Sequence, residues 1–362
     1  MIKLGKEQEL QNMEEQDYHA LPFNSYSTFK CFIQSFKKYY KKYILKQEVN
    51  EKNPQDAEDM RFGSLTDVLK FQPETFQDQY LITSAVVPSG QMLEFINTLM
   101  RLVKEQTNDF GVLCKDISLL IKEAYDELAR NNKGGKLRDS LEKFQERFLT
   151  NKEGWDYFVE LKSRGNKTVI SSAEFQYAND LVDWINQHPH TRGIFELVTT
   201  DKIEVINQLK IIGEINGLEV KGMLDRVHID HKNKIIDPYD LKVMGASNLF
   251  SYNYLKLMYY IQNACYTTLL RQKYPDYQVN PLKFIVIDRY RNYAPKIVVT
   301  TEAQYQEAMF GFTTKFGRYY PGLVDTILEL KWHIDQNIWD CTRNIFEHGG
   351  LEILNTNSFE EE

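Results

Sequence analysis

The chain has 362 residues, 42% of them hydrophobic and 26% charged, which is enough to bury a sizeable core as one large domain or two. Its formal net charge of −7 excludes a uniformly basic surface, so any nucleic-acid binding must use a local basic groove. No apolar run reaches the roughly 18 residues of a membrane span, and the polar, acidic N-terminus lacks the pattern of a signal peptide. We therefore expect no membrane partner.

The cysteines also bound the class of protein. No two of them have the spacing of zinc ligands, so neither a zinc site nor a disulfide framework is expected. Reduced thiols are typical of a cytoplasmic protein. The chain has no Gly-rich phosphate loop of the Walker type, so we expect no nucleotide cofactor. The four residues are Cys31, Cys114, Cys265 and Cys341.

The first predicted element is an amphipathic helix over residues 25–46, SYSTFKCFIQSFKKYYKKYILK, whose aromatic and aliphatic residues fall at helical spacing. A second helix is predicted to begin near Gly63. Residues 90–150 are predicted to be helical in two or three pieces, with loops at 131–137 and 151–156. On its polar face the first helix carries a row of lysines, which on charge alone is either a solvated face or a stripe that contacts phosphates: Lys37, Lys38, Lys41 and Lys42.

After a helix over about 172–187, the pattern changes to strands. The predicted strands are 195–200, 204–215, 218–230 and 234–243, then 282–290 and 296–301, with a helix over 251–273 and helices over roughly 302–340. Helices followed by a mainly antiparallel meander, a helix and further strands predict an α/β (α+β) fold with a central mixed β-sheet flanked by helices.

Two of the predicted strands carry carboxylates among aliphatic residues, in the stretch GMLDRVHIDHKNKIIDPYDLKV. Side chains alternate along a strand, so Asp240 and Lys242 project to one side, where Asp225 of the preceding strand can join them. Neighbouring carboxylates repel each other, and a divalent cation removes that penalty. Oxygen ligands favour Mg²⁺ or Mn²⁺, and the Leu241 carbonyl could add another. A lysine beside the metal suits phosphodiester hydrolysis.

The helix that follows contains Gln262-x-x-x-Tyr266, and residues four apart share one helical face. Both polar ends can therefore point at the same site. The alternative interpretation is that Gln262 lies on the surface and Tyr266 in the core.

The order Asp…Asp-x-Lys…Gln-x-x-x-Tyr resembles the PD-(D/E)xK nuclease superfamily in its RecB-like branch, which includes phage exonuclease VIII-type members. The N-terminal NSYSTFKCFIQSFKKYYKKYI and the segments RFGSLTDVLKFQPETFQDQY and VISSAEFQYANDLVDWINQHP resemble other parts of that branch. The resemblance implies a restriction-endonuclease-like core over 1–83 and 166–345. The stretch at 84–165, which has no strand signal, is predicted to be a helical insertion, and the polar C-terminal residues 346–362 are predicted to be a flexible tail.

Carried over residue by residue, the resemblance makes Asp225 and Asp240 the metal-binding acids and Lys242 the catalytic lysine. It gives Gln262 and Tyr266 the role of positioning DNA or the lysine. Where many members have His, this chain has Asp67, which is either a further metal ligand or a carboxylate favoured in the first turn of a helix. Asp237 is a decoy or a supplementary ligand. Pro238, next to it, implies an edge position or a bulge.

The resemblance therefore implies a Mg²⁺- or Mn²⁺-dependent deoxyribonuclease, an exonuclease acting on DNA ends in recombination, repair or phage DNA metabolism. Its location would be the bacterial or phage-infected host cytoplasm. Other partners to consider are a recombination or single-strand annealing protein and further copies of the chain. Some relatives hold an iron–sulfur cluster through four Cys, but only Cys31 and Cys341 have suitable positions here, so no cluster is expected.

Two rival functions stay open at this point. One is a nucleic-acid-binding or scaffold protein that has the nuclease fold but little or no catalysis. The other is a structure-specific endonuclease. The basic, aromatic stretch GFTTKFGRYY at 311–320, with Lys315 and Arg318, is a candidate contact for single-stranded nucleic acid, although its aromatic residues could equally belong to the core.

Overall fold

The computed structural model describes residues 4–47, 54–108, 112–132, 137, 139–150 and 153–351. Most of the predicted loop at 131–137 and most of the predicted tail at 346–362 lie outside this range. Among the described helices, none has both the length and the apolar character needed to cross a membrane.

The bounds of the elements follow in chain order. The helices are α1 (Leu4–Asn12), α2 (Glu15–Ala20), α3 (Tyr26–Gln34), α4 (Phe36–Tyr39), α5 (Pro54–Phe71), α6 (Phe76–Gln79), α7 (Gly90–Glu105), α8 (Ile117–Asn131), α9 (Leu141–Thr150), α10 (Glu153–Ser163), α11 (Ser172–Gln187), α12 (Arg192–Phe195), α13 (Phe250–Lys256), α14 (Tyr259–Lys273), α15 (Glu302–Phe310), α16 (Leu323–Gln336) and α17 (Arg343–Glu347). The strands are β1 (Tyr80–Thr83), β2 (Thr168–Ser171), β3 (Ile203–Ile215), β4 (Leu218–Asp230), β5 (Ile235–Met244), β6 (Gln278–Val279), β7 (Lys283–Asp288), β8 (Lys296–Val298), β9 (Phe312–Thr313) and β10 (Tyr319–Tyr320).

The chain divides into two compact units. The core unit comprises Met1–Asp67 and Val182–Glu362, and the inserted unit comprises Val68–Leu181. The boundaries fall inside helices α5 and α11. The inserted unit is therefore wider at both ends than the 84–165 segment that the sequence suggested.

The core unit is built on a mixed sheet in the order β3-β4-β5-β7-β8, with β6 paired to β5. The pairing is antiparallel except for β5, which runs parallel to β6 and β7. Helices α3, α14 and α16 pack with this sheet around a buried aliphatic and aromatic cluster. The predicted central mixed sheet flanked by helices is therefore confirmed.

The inserted unit contains helices α7 to α10, which bury their own cluster of apolar side chains centred on Phe95, Leu99 and Phe148. Within 84–165 the described residues are helical apart from loops and one isolated bridge between Thr107 and Leu113. The ends of this unit are joined by a parallel strand pair, β1 with β2, which the sequence pattern did not predict.

The predicted strand at 195–200 is wrong. Residues 192–195 form the short helix α12, and the residues after it run without regular structure into β3. The reason lies in two threonines: Thr199 Oγ1 accepts a hydrogen bond from Val205 N (3.0 Å) and Thr200 Oγ1 accepts one from Ile203 N (3.2 Å). The two threonine hydroxyls thus accept hydrogen bonds from the backbone N–H groups that would otherwise bond to a strand partner, and they stabilise a turn that leads into β3.

Two predicted helices are interrupted. Helix 25–46 is broken at Ser35, whose backbone is extended (φ −168°, ψ 110°), and after α4 it continues as a π-helical turn over Tyr40–Ile44. Helix 251–273 is broken at Met258, which takes a left-handed conformation (φ 58°). Each break starts a new helix in a new direction, and the second places Tyr259 at the start of α14.

Pro238 lies in a central strand, opposite Val227 of β4, rather than at an edge. On the other side of β5, pairing with β6 ends at Ile236 and pairing with β7 begins at Tyr239. Residue 238 therefore lies between the segment of β5 that pairs with β6 and the segment that pairs with β7. Proline has no backbone N–H, and at this position no hydrogen-bond donor is needed.

Candidate active site

Two aspartates lie where the pairing of β4 and β5 ends. The last paired residues are Arg226 and Tyr239, and the next positions along the two strands are Asp225 and Asp240. At this point Asp225 Oδ2 accepts a hydrogen bond from Leu241 N (2.7 Å), so a carboxylate takes the place of the next rung of the ladder. The two aspartates thus come together where the antiparallel pairing of β4 with β5 stops, while β5 continues to pair in parallel with β7.

Lys242 lies two positions beyond Asp240, on the same face of β5. Its ammonium forms an ion pair with Asp240 Oδ2 and lies 5.0 Å from the centroid of the Tyr259 ring. Burial alone would lower the pKa of Lys242, but Asp240, Tyr259 and Asp225 together raise it well above its usual value. The lysine is therefore a fixed positive charge in a cluster of acids.

A third carboxylate, Asp67 on α5, belongs to the same electrostatic cluster. Burial raises the pKa of Asp67 to about 7, with further repulsion from Asp240 and Glu15 and partial relief from Lys242. Burial also raises the pKa of Asp225 well above its usual value, reinforced by Asp240 and Asp67. Three acids thus face one lysine in a poorly solvated place, where burial and mutual repulsion favour the protonated forms of Asp67 and Asp225 unless a further cation is bound.

The donor chemistry of this cluster fits a hard divalent cation, because it offers carboxylate oxygens and neither thiolate nor imidazole. Within the described ranges, however, no three His, Cys, Asp or Glu side chains come together as a ready metal-binding group. Asp225 and Asp240 lie at adjacent positions of neighbouring strands, next to the last paired residues. Asp67 lies within electrostatic range of both.

Gln262 and Tyr266 reach this cluster from α14. Gln262 is buried, and its Nε2 donates a hydrogen bond to Asp240 Oδ1 (2.7 Å), so the interpretation that it lies on the surface is wrong. One turn later the Tyr266 ring packs on Gly222 of β4, where a Cβ would lie 2.8 Å from the ring carbon Cε1. Helix α14 can approach the strand this closely because position 222 has no side chain.

Asp237, the other acid in this stretch, does not belong to the cluster. It lies on the opposite face of β5, where its Oδ1 accepts hydrogen bonds from Lys283 Nζ (2.6 Å) and Asn280 Nδ2 (2.7 Å). Asp237 therefore links β5 to Asn280 and to Lys283 at the start of β7.

Two residues of α3 also face the site, and the sequence analysis did not single them out. The Tyr26 hydroxyl donates a hydrogen bond to the Leu257 carbonyl (2.5 Å), and its raised pKa, caused first by burial, is opposed by the charge of Lys242. Lys30 lies one turn further along and is partly buried. Burial lowers the pKa of Lys30, and the positive charges of Lys242 and Lys38 lower it further. Neither residue belongs to a sequence motif that could have found it.

The predicted lysine stripe lies beyond the break at Ser35. Lys37, Lys41 and Lys42 are exposed, and Lys38 is partly buried. This segment borders a cavity of about 750 Å³. The lining includes Tyr43, Ile44 and Lys46 next to the lysines in sequence, Gly222 and Met223 of β4, and Tyr266 of α14. The cavity therefore reaches β4, the strand that carries Asp225.

Lys315 and Arg318 lie apart from this stripe, in the exposed turn between β9 and β10. The structure therefore brings together Asp67, Asp225, Asp240, Lys242, Gln262 and Tyr266. The predicted DNA-binding residues occupy two separate elements.

Comparison with known proteins adds little. No protein-family model matches the chain, and no curated protein matches it. Among solved structures, the chain is similar to the crystal structure of a provisionally named exonuclease from Eubacterium rectale, with 13% sequence identity and a TM-score of 0.43. The match covers 94% of this chain and 88% of that chain. A similarity this weak supports no inference about function. What the fold and site define is a mixed α/β protein with a buried cluster of acids and one lysine.

Proposed function

We propose that the chain is a metal-dependent deoxyribonuclease of the PD-(D/E)xK superfamily that hydrolyses DNA from its ends. The observation that carries this proposal is the single cluster formed by Asp225, Asp240 and Lys242, with Gln262 hydrogen-bonded to Asp240. These residues belong to three elements, β4, β5 and α14. Their meeting at one buried point is hard to explain by packing alone, because buried charges are costly unless they are used or paired.

Each side chain has a part in this proposal. Asp225 and Asp240 would hold Mg²⁺ or Mn²⁺, with Asp67, directly or through water, and the Leu241 carbonyl as further ligands. When bound, the cation would lower the pKa of a bound water and neutralise phosphate oxygens. Gln262 fixes the orientation of the Asp240 carboxylate, as hydrogen bonds to metal-ligating groups generally do.

Lys242 stays protonated at neutral pH, so its ammonium can orient the attacking water or stabilise the charge that builds on the phosphate. Lys30 adds a second cation on the side of α3, which suits an anionic substrate. Placing two like charges near each other is unfavourable in the free protein, and a phosphate between them relieves that repulsion.

The cavity beside the lysine stripe supports the choice of DNA as the substrate. Its volume of about 750 Å³ is within the range of ligand sites, and cationic residues border it on one side and the catalytic strand on the other. The duplex would lie along the exposed lysines while its end reaches the acids.

Cleavage of linear and closed circular duplex DNA tests this function. An exonuclease degrades only the linear form in Mg²⁺ or Mn²⁺ and leaves nucleotides with 5′-phosphate. Degradation of both forms indicates the structure-specific endonuclease instead. Binding without cleavage of either form would refute hydrolysis and leave the scaffold function.

A further inference from the structure

The turn between β9 and β10 is an anchored hairpin with an exposed aromatic tip. Thr314 N donates to Arg318 O (2.9 Å) and Gly317 N to Thr314 O (2.9 Å), which closes the turn. Gly317 has φ +85°, a conformation that residues with a side chain rarely adopt. Tyr319 is tied to helix α16 through a hydrogen bond from its hydroxyl to Asp325 Oδ2 (2.5 Å).

The aromatic residues of this hairpin divide into two sets. Phe312 and Tyr320 stack on each other (ring centroids 5.3 Å apart) and pack against the edge of Tyr260 on α14. Phe316, by contrast, is 68% exposed at the tip of the turn, with Lys315 Nζ 4.9 Å from its ring centroid. The ring buries little area, so it contributes little to stability and is open to a ligand.

The charge of the hairpin is opposite to that of the chain. Between residues 311 and 320 the charged residues are Lys315 and Arg318, both exposed, whereas the whole chain carries −7. A base face and its neighbouring phosphates are complementary to this combination of an aromatic ring and two cations.

The hairpin also packs against α14, the helix whose first residue lies at the candidate active site. Its base packs on Tyr260, and the preceding residue, Tyr259, has its ring 5.0 Å from Lys242 Nζ. The position of the hairpin is thus fixed relative to the start of α14.

We infer that Phe316 stacks on an unpaired base of a DNA end while Lys315 and Arg318 contact the adjacent phosphates. This inference rests on the proposed nuclease function and specifies its substrate as an end with single-stranded character. In a blunt duplex the internal base faces are already stacked on each other and only the outer face of the last base pair is open, so a single protruding ring has little to bind. An unpaired base offers its face whatever its identity.

Binding without metal separates this inference from catalysis. In EDTA, Phe316→Ala should weaken binding of a short oligothymidylate about tenfold, as loss of one base–aromatic stack does, and leave binding of a blunt duplex unchanged. The matched control is Phe346→Ala, which removes a ring that is 51% exposed on α17, and it should bind both DNAs like the wild type. Wild-type affinity of Phe316→Ala for the oligothymidylate, or an equal loss for both DNAs, would overturn the inference.

The salt dependence distinguishes stacking from charge. Phe316→Ala should leave the slope of log affinity against log salt unchanged. Lys315→Gln combined with Arg318→Gln should reduce that slope by about 0.7 for each lost contact. A reduced slope in Phe316→Ala would mean that the ring merely holds the hairpin, and would contradict stacking.

A fluorescent variant tests the contact directly. Phe316→Trp should show quenched tryptophan emission on adding the oligothymidylate, whereas Phe346→Trp should not. An unquenched signal at position 316 would count against the inference. If the protein passes these binding tests but cleaves no DNA, the proposed nuclease function is refuted and the stacking site is retained. If it cleaves DNA normally but fails the binding tests, the stacking site is refuted and the nuclease function is retained.

Discussion

Two lysine–aspartate pairs lie on opposite faces of β5. Lys242 pairs with Asp240 on the face of the acid cluster, and Lys283 pairs with Asp237 on the other face. Both lysine side chains are 18% exposed. The two lysines therefore have the same kind of partner and the same exposure. They differ in that only Lys242 has a second and a third carboxylate nearby.

This pairing gives a matched test of catalysis. Lys242→Ala should reduce single-turnover DNA hydrolysis by about two orders of magnitude or more, because a preorganised charge at a reaction centre contributes that much. Lys283→Ala should leave the rate within about a factor of three, since its effect is limited to stability. Circular dichroism checks that both variants fold. Equal rates in the two variants would remove the role proposed for Lys242.

The residues that sequence reasoning missed share one property. Tyr26, Lys30 and Tyr259 carry no motif of their own, and they reach the site because α14 packs on β3 and β4 and α3 packs on α14. The acids and Lys242 could be predicted, because strand alternation and the resemblance both placed them. The approach of one helix to another depends on tertiary packing, which local spacing does not determine.

At the scale of elements, the predicted helices and strands agree with the structure where the sequence has a single clear hydrophobic periodicity. β4 and β5 were predicted within a residue or two, because alternating apolar residues were bounded by turn residues. The breaks at Ser35 and Met258 were missed, since neither serine nor methionine is a strong helix breaker. Packing of the flanking aromatic residues on the sheet overrides the local preference there.

The close approach of α14 to β4 predicts an effect at a glycine. In Gly222→Ala the new methyl group would meet the Tyr266 ring, so the ring must shift, and overpacking of this kind costs about 1–3 kcal/mol. DNA hydrolysis should fall as well. Gly63→Ala is the control, because that position lies inside α5 with nothing within 4 Å of a new Cβ, and it should raise the free energy of unfolding by up to about 1 kcal/mol. Urea unfolding of both variants measures this, and an unaffected Gly222→Ala would contradict the described packing.

β4 also carries a pH-dependent contribution to stability. His228 is buried, and its Nε2 accepts a hydrogen bond from Arg226 Nε (2.8 Å). Burial, followed by the charge of Arg226, lowers the pKa of His228 to about 4, with a smaller opposing effect of Asp237 and a further lowering by Lys283. Between about pH 6.5 and 4 the unfolded chain binds the proton more readily, so stability falls as the pH decreases through that range.

The corresponding test compares His228→Gln with the wild type. The free energy of unfolding of the wild type should drop more between pH 7 and 5 than that of His228→Gln, by up to about 2 kcal/mol. Glutamine can still accept the bond from Arg226. His348→Gln, at an exposed histidine, should keep the pH dependence of the wild type. Parallel pH profiles for wild type and His228→Gln would show that the buried imidazole contributes nothing.

At the scale of the whole molecule, a net charge of −7 opposes long-range attraction to DNA. Binding must then come from local concentrations of positive charge. The exposed lysines on the segment after Ser35 are the best candidate, because the same segment contributes Tyr43, Ile44 and Lys46 to the lining of the cavity that reaches β4.

Duplex binding at several salt concentrations tests that segment. Lys41→Gln combined with Lys42→Gln should weaken binding and reduce the slope of log affinity against log salt by about 0.9 for each lost phosphate contact. The control is Lys202→Gln combined with Lys232→Gln, which removes the same charge from exposed positions at the ends of β3 and β4. If both double variants show the same slope, the lysine segment is a solvated face.

The central claim is that the buried acids hold a divalent cation for DNA hydrolysis, and calorimetric titration with Mn²⁺ tests it most directly. The wild type should bind Mn²⁺, and Asp240→Asn should lose most of that binding, because one negative ligand is replaced by a neutral one. Asp237→Asn, on the opposite face of the same strand, should bind like the wild type. Saturable Mn²⁺ binding that is equal in all three proteins, or no binding by the wild type, would contradict the account.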